Sequence, residues 1–271
     1  MSDTVSASPH SPLSVIVTGA TGKMARETIA AVQGQPDMRL VGLVSTKGPE
    51  IGGAPGVPVA SSLQPLLDVH HPDVVIDFSN PAVAPAYAKD AISRRIAFVT
   101  GTTGFTQDDL DMLRSLADRH ATGVVNAPNF AIGVVLMVHL ARLASKHFDW
   151  AEIIELHHEQ KADAPSGTAL QTAREMREAR GRDFQETDVH KQLLPGTRGG
   201  SIGGVHVHSV RLQGLMAHQE VLFGGLGQTL SLRHDTTGRA CYMPGVLLAV
   251  RHAVAHPGYV FGLGPLLGLH E

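Results

Sequence analysis

The feature that most constrains the fold is a rhythm in the first half of the chain, where short apolar runs alternate with amphipathic stretches. Leu13 to Thr18 is an apolar, β-branched run ending at Gly19, and Met24 to Val32 then shows helical spacing. The same unit recurs. Strand-like runs fall at Leu40 to Val44, Val74 to Phe78, Ile96 to Thr100 and Gly123 to Asn126, with helix-like stretches at Ser62 to Val69, Ala82 to Arg94 and Gln107 to Arg119. Strands that are apolar throughout and alternate with helices form a parallel sheet covered on both faces. A doubly wound, Rossmann-type α/β domain is therefore expected over 13–130.

The texture changes after Asn129. An apolar helix is expected over Ala131 to Lys146, an apolar strand from Trp150 to Leu156 and a helix from Ser166 to Ala179, followed by a polar, glycine-rich stretch to Gly204. Residues 205–235 then read as successive strands (VHVHSVRLQG, HQEVLFGG, QTLSLRHD), which predicts an antiparallel meander. An α+β domain with a mostly antiparallel sheet is expected over 131–240. A final helix over Pro244 to Ala255 and an apolar tail through Leu269 either complete the first domain, as 241–271, or pack on a neighbour.

Residues 1–12 are small and polar, without the basic start and apolar stretch of a secretory signal, and read as a flexible tail. No run of apolar residues is long enough to span a bilayer, and a soluble, cytoplasmic protein is expected. With 22 Lys and Arg against 25 Asp and Glu, the net charge of -3 gives no global attraction to nucleic acid or an anionic membrane. An anionic ligand must then be held by a local site, which favours a small molecule. A single cysteine, Cys241, excludes an intramolecular disulfide framework.

Local motifs point to two ligands. GATGKMA, Gly19 to Ala25, lies between the first strand and the first helix, where glycines permit a tight turn and close approach of a pyrophosphate to the helix start. Thr21 stands where the full fingerprint has its middle glycine. Domains that prefer NAD usually place an acidic residue at the end of the second strand. Here that end reads Ser45, Thr46, Lys47, whose hydroxyls and ammonium suit a 2'-phosphate, so NADPH is preferred and NADH stays open. Gly101 to Gly104 (GTTG) and Ala127 to Phe130 (APNF) follow the fourth and fifth of these strands, at the carboxyl edge where open α/β sheets bind ligands.

The second cluster is ELHHEQKADAPSGTAL, residues 155–170. Pro165 to Thr168 opens a helix, whose first turn and dipole favour a carboxylate, and Lys161 adds a positive charge. His157 or His158 can exchange a proton near neutral pH. Anion capture and proton transfer thus share one loop. His206 and His208 alternate along a strand, but no cysteine or clear carboxylate completes a zinc site, and no metal is expected.

These blocks closely resemble the 4-hydroxy-tetrahydrodipicolinate reductase family of the diaminopimelate route to lysine. The likeness runs from Val15 onward through GATGKM, DFSNP at 77–81, GTTGF, APNFAIGV, ELHHEQKADAPSGTAL, HSVRLQGLMAHQEVLFG and PGVLLAVR. It implies an amino-terminal dinucleotide domain, a carboxy-terminal domain for substrate and oligomerisation, a homotetramer, and NAD(P)H-dependent reduction of a small cyclic dicarboxylate. It assigns proton transfer to His157 and Lys161, and the substrate carboxylates to His158, Lys161, Gly167 and Thr168. The cofactor falls to Gly19, Ala20, Thr21, Gly22, Lys23 and Met24, to Phe78 and Ser79, to Gly101, Thr102 and Thr103, and to Ala127, Pro128, Asn129 and Phe130; Ser45, Thr46 and Lys47 face its ribose. Lys23 replaces an arginine common in the fingerprint, Ala25 its closing glycine, and Ser45 a glutamate of some members. Two alternatives stay open: a reductase of another imine or enone, and a cofactor-sensing protein without catalysis.

Overall fold

A computed structural model describes residues 11–46 and 54–269; Lys47 and the first ten residues of the expected tail lie outside the described residues. Contacts divide the chain into two compact units, one running to Phe130 and resuming at Tyr242, the other Ala131–Cys241.

The first unit opens with β1 (Leu13–Thr18), α1 (Lys23–Gln33) and β2 (Met38–Val44). It continues through β3 (Val59–Ala60), α2 (Gln64–Val69), β4 (Val74–Asp77), α3 (Ala84–Ser93), β5 (Ala97–Thr100), α4 (Gln107–His120) and β6 (Gly123–Asn126). Every residue of β4, β5 and β6 is buried, which is why these runs lack a polar alternation. Ile16, Val75 and Phe98 meet Leu67, Ile92 and Leu113 from the helices, and Leu63 at the cap of α2, in one core. Helix α4 starts at a capping box, with the Thr106 hydroxyl accepting from the Asp109 N–H and the Asp109 carboxylate accepting from the Thr106 N–H.

The second unit holds α5 (Ile132–Ser145), β7 (Trp150–His157), α6 (Gly167–Arg180), β8 (Gly200–Ile202), β9 (Val205–Arg211), β10 (Ala217–Gly225) and β11 (Gln228–Thr236). The chain then returns to the first unit with α7 (Met243–Ala255) and β12 (Gly258–Phe261). The latter pairs in parallel with β6, so the first sheet has seven strands in the order β12-β6-β5-β4-β1-β2-β3. Every pairing in it is parallel.

The second sheet corrects the expected meander. Its order is β11-β10-β7-β9-β8: β7 lies between β9 and β10, antiparallel to β10 but parallel to β9. Alternation along a strand fixes which face is buried, not which strand lies beside it. The apolar β7 gains most from the centre, where Ala151 and Ile153 pack with Val205, Val207, Val221 and Phe223. These residues meet Ala169, Ala173 and Met176 of α6 and Ala141 of α5, so the helices cover one face of the sheet. Among the described residues no helix is long and apolar enough to cross a membrane.

Candidate functional site

In the first unit, the carboxyl ends of β1, β2 and β4 frame a cleft of about 200 Å3. It is lined by Gly19, Thr21, Gly22, Ser45, Thr46, Phe78 and Ser79 from the predicted set, joined by Val44, Asn80, Val83 and Tyr87. Gly19 has φ +70, and a Cβ there would stand 2.3 Å from the Phe78 carbonyl oxygen, so only glycine lets the two loops approach. Helix α1 starts at Gly22 without a side-chain cap, which leaves its first-turn N–H groups to a ligand phosphate. Such a cradle fits the pyrophosphate and ribose of a dinucleotide. Lys23 is exposed in the first turn of α1, Met24 is half-buried beside it, and Ala20 is buried under the turn with its N–H on the Val44 carbonyl.

Asp77 holds this edge together. Its buried carboxylate accepts from the hydroxyls of Thr18 at 2.5 Å, Ser79 at 2.5 Å, Thr100 at 2.8 Å and Thr102 at 2.7 Å. One carboxylate therefore ties the ends of β1, β4 and β5 and the start of GTTG. Phe78 extends the link, meeting the Phe130 ring edge-on at 5.8 Å, while a Cβ on Gly101 would lie 2.3 Å from the Phe78 ring. Gly101, Thr102 and Thr103, and Ala127 to Phe130, thus sit beyond β5 and β6 on the same edge as the cleft. Thr102 turns its hydroxyl inward to Asp77, Thr103 and Pro128 are exposed, and Asn129 is half-buried.

In the second unit, β7 ends at His157 and the connection through Lys161 leads to α6. Ser166 caps that helix, its hydroxyl accepting from the Ala169 N–H at 3.2 Å, so Gly167 and Thr168 occupy the open first turn. Nothing lies within 4 Å of where a Cβ on Gly167 would stand, so the space beside it is open. His158 is half-buried, and its carbonyl accepts from the Lys161 N–H. The Lys161 ammonium pairs with Asp163 at 2.7 and 2.9 Å and holds that carboxyl below its usual range.

His157 Nδ1 lies 2.5 Å from the carboxylate of Glu155, a residue with no exposed surface, and that carboxylate also pairs with Arg211 at 2.8 and 2.9 Å. Burial raises the Glu155 pKa, but hydrogen bonds from Arg211, Ser209 and His157 overcome this and hold it below the ordinary value. For His157, burial is the largest influence and lowers the pKa; Glu155 opposes it, Lys161 and Arg211 reinforce it, and the outcome is below the imidazole norm. The sequence reading missed Glu155 and Arg211. The signal for Glu155 was its spacing of two from His157 along a strand; Arg211 became visible only through the parallel pairing that sets His157 opposite Arg211.

His206 and His208 lie on the sheet face away from the helices. There His208 pairs with Glu152 at 2.7 Å, and His206 contacts the Arg198 carbonyl at 2.8 Å. Glu152 is thus a carboxylate beside this pair that the sequence reading did not see. Among the described residues no three His, Cys, Asp or Glu side chains are grouped to hold a metal ion.

Comparison with known proteins finds likenesses along nearly the whole chain. The family profile described as dihydrodipicolinate reductase, N-terminus, matches residues 13–130, and that described as dihydrodipicolinate reductase, C-terminus, matches 133–267. A 4-hydroxy-tetrahydrodipicolinate reductase of Synechocystis sp. is 47% identical over 268 residues, covering 93% of this chain and 97% of the relative. One of Dehalococcoides mccartyi is 43% identical over 263 residues, covering 95% and 99%. A dipicolinate-bound dihydrodipicolinate reductase from Paenisporosarcina sp. superposes with a TM-score of 0.87 at 38% identity, covering 94% of this chain and 99% of that one. Matched along nearly its whole length in sequence and fold, the chain belongs to the dihydrodipicolinate reductase family, whose fold binds a pyridine nucleotide.

Proposed function

We propose that the chain reduces 4-hydroxy-tetrahydrodipicolinate to tetrahydrodipicolinate in the diaminopimelate route to lysine, using NADPH by preference and NADH as a usable alternative. The observation that carries this reading is the grouping of His157, Lys161 and the open first turn of α6 on one connection of the second unit. A dipicolinate-bound relative supports a cyclic dicarboxylate as the ligand class.

Lys161 and His158 supply positive charge or hydrogen-bond donors to the carboxylates, and the N–H groups of Gly167 and Thr168 add the helix-start contribution. When bound, the reduced nicotinamide supplies the hydride. Substrate hydroxyl leaves as water, and hydride and one proton are added, which balances the conversion. The proton comes from His157 Nε2, because Nδ1 is engaged by Glu155. Free His157 is held towards its neutral form, and a bound dianion beside it draws the ring back to the charged form.

For the cofactor, Ser45 and Thr46 at the end of β2 offer hydroxyls and no carboxylate that would repel a 2'-phosphate, and Lys47 follows in sequence. A homotetramer is part of the same reading. It draws support from the helix-free face of the second sheet, which carries Glu152, His206, His208, Glu220 and Arg233, and light scattering checks it against a 28.7 kDa subunit. A cytoplasmic location accords with the single cysteine.

The test is NADPH oxidation by the purified protein with freshly generated 4-hydroxy-tetrahydrodipicolinate, set beside a panel of other cyclic imines and enones. Turnover restricted to the first is expected; faster turnover of another imine, or none on any compound, contradicts the proposal.

A further inference from the structure

Glu155 and His157 project to the same face at the end of β7, since residues two apart along a strand do so. Four groups of the chain converge on the Glu155 carboxylate. His157 Nδ1 lies at 2.5 Å from Oε2, and Arg211 donates from Nη1 to Oε2 at 2.9 Å and from Nη2 to Oε1 at 2.8 Å. The Ser166 N–H, at the cap of α6, donates to Oε1 at 3.2 Å, and the Ser209 hydroxyl adds a further bond. Arg211 Nη2 also donates to the Asp163 carbonyl at 2.6 Å, which fastens the connection carrying Lys161.

We infer that Glu155, backed by Arg211, is a positioning residue for proton transfer: it receives the Nδ1–H of His157, fixes the ring, and leaves Nε2 as the nitrogen that meets the substrate. This deepens the proposed reductase reading and rests on His157 being the proton donor. An isolated buried carboxylate is costly, and the two-pronged pairing with Arg211 offsets that cost without the imidazole. The histidine contact is therefore additional to what burying Glu155 requires. Its consequence is tautomeric, because the partner of one ring nitrogen decides what the other can do. Arg211 has a second effect. By balancing the Glu155 charge it keeps His157 from being locked as an imidazolium, so the ring can release its proton.

The charged groups facing His157 are Glu155 on its own strand, Arg211 from β9 and Lys161 from the following connection; its β10 partner, Ala217, brings none. Of these only Glu155 favours the protonated ring. Glu155→Gln removes that influence while burial, Lys161 and Arg211 remain, so the variant ring holds its proton only at lower pH.

The experiment compares wild type, Glu155→Gln, His157→Gln and the double variant in steady-state NADPH oxidation across pH. Glu155→Gln is expected to lower kcat by about 10- to 100-fold with an unchanged KM for NADPH. It should also move the alkaline limb of kcat/KM down by about one pH unit. In the His157→Gln background it should cost less than about threefold more, since both changes remove one function. Losses that multiply in the double variant, or an unmoved limb in folded Glu155→Gln, overturn the inference. Full turnover in His157→Gln removes the proton-donor reading itself, and the inference with it. If Glu155→Gln does not fold, Glu155→Asp keeps the charge but withdraws it by one methylene; a drop of about tenfold in kcat is then expected, and wild-type kcat overturns the inference.

Discussion

Glu155 shows how a residue can be present in a motif and still be overlooked. In sequence it sits inside Trp150 to Leu156, a stretch whose apolar character marks a buried strand, and a carboxylate there looks like an outward-facing exception. It is instead completely buried, with Arg211 brought beside it across 56 positions of chain. The histidines, the lysine and the helix start were legible because they are contiguous, whereas the partner that neutralises Glu155 depends on strand order. Asp77 makes the same point in the first unit, where four hydroxyls from three strand ends converge on it, although the sequence shows only DFSNP. The proposed preference for NADPH also rests on single residues. Substituting Thr46→Ala and Lys47→Ala together should raise the KM for NADPH by about tenfold, the loss expected when hydrogen bonds to a charged phosphate are removed, and leave that for NADH within about twofold. Equal rises for the two cofactors would contradict the 2'-phosphate contact.

Among the elements, those of the first unit were the easiest to read. Its central strands β4, β5 and β6 are buried from end to end, and helix α4 announces both its ends, with Thr106 and Asp109 at the start and Arg119 and His120 in the last turn. Short pieces escaped: Val59–Ala60, Gly200–Ile202 and Gly258–Phe261 are two to four residues long and have too little pattern to stand out. The second sheet was misread in its order for a physical reason, since pairing between strands distant in sequence is chosen by shared burial rather than by any local signal. One element carries a removable strain. Helix α4 ends at Ala121 with φ 49 and ψ 49, a left-handed conformation that glycine adopts without the Cβ penalty. Ala121→Gly should therefore stabilise the first unit by about 0.5 to 1 kcal/mol, seen as a higher urea midpoint with an unchanged slope. A lower midpoint would show that the left-handed cap carries no such strain.

Across the whole molecule, the chain is divided between a parallel-sheet unit with a glycine-lined cleft at its carboxyl edge and a mixed-sheet unit that gathers His157, Lys161 and the start of α6. The order of strands and helices made the first unit predictable. The second was recognisable through its contiguous motif and the family likeness, while its sheet order emerged only from the fold. The interruption of the first unit by the second follows from the chain's return through α7 and β12, which the apolar tail allowed but did not decide. The central claim is that hydride passes from the nicotinamide to a cyclic dicarboxylate while this chain provides the proton. The most direct measurement uses NADPH carrying deuterium at both C4 positions and mass spectrometry of the tetrahydrodipicolinate formed. One deuterium per product molecule is predicted; unlabelled product formed with consumption of labelled NADPH would contradict direct hydride transfer.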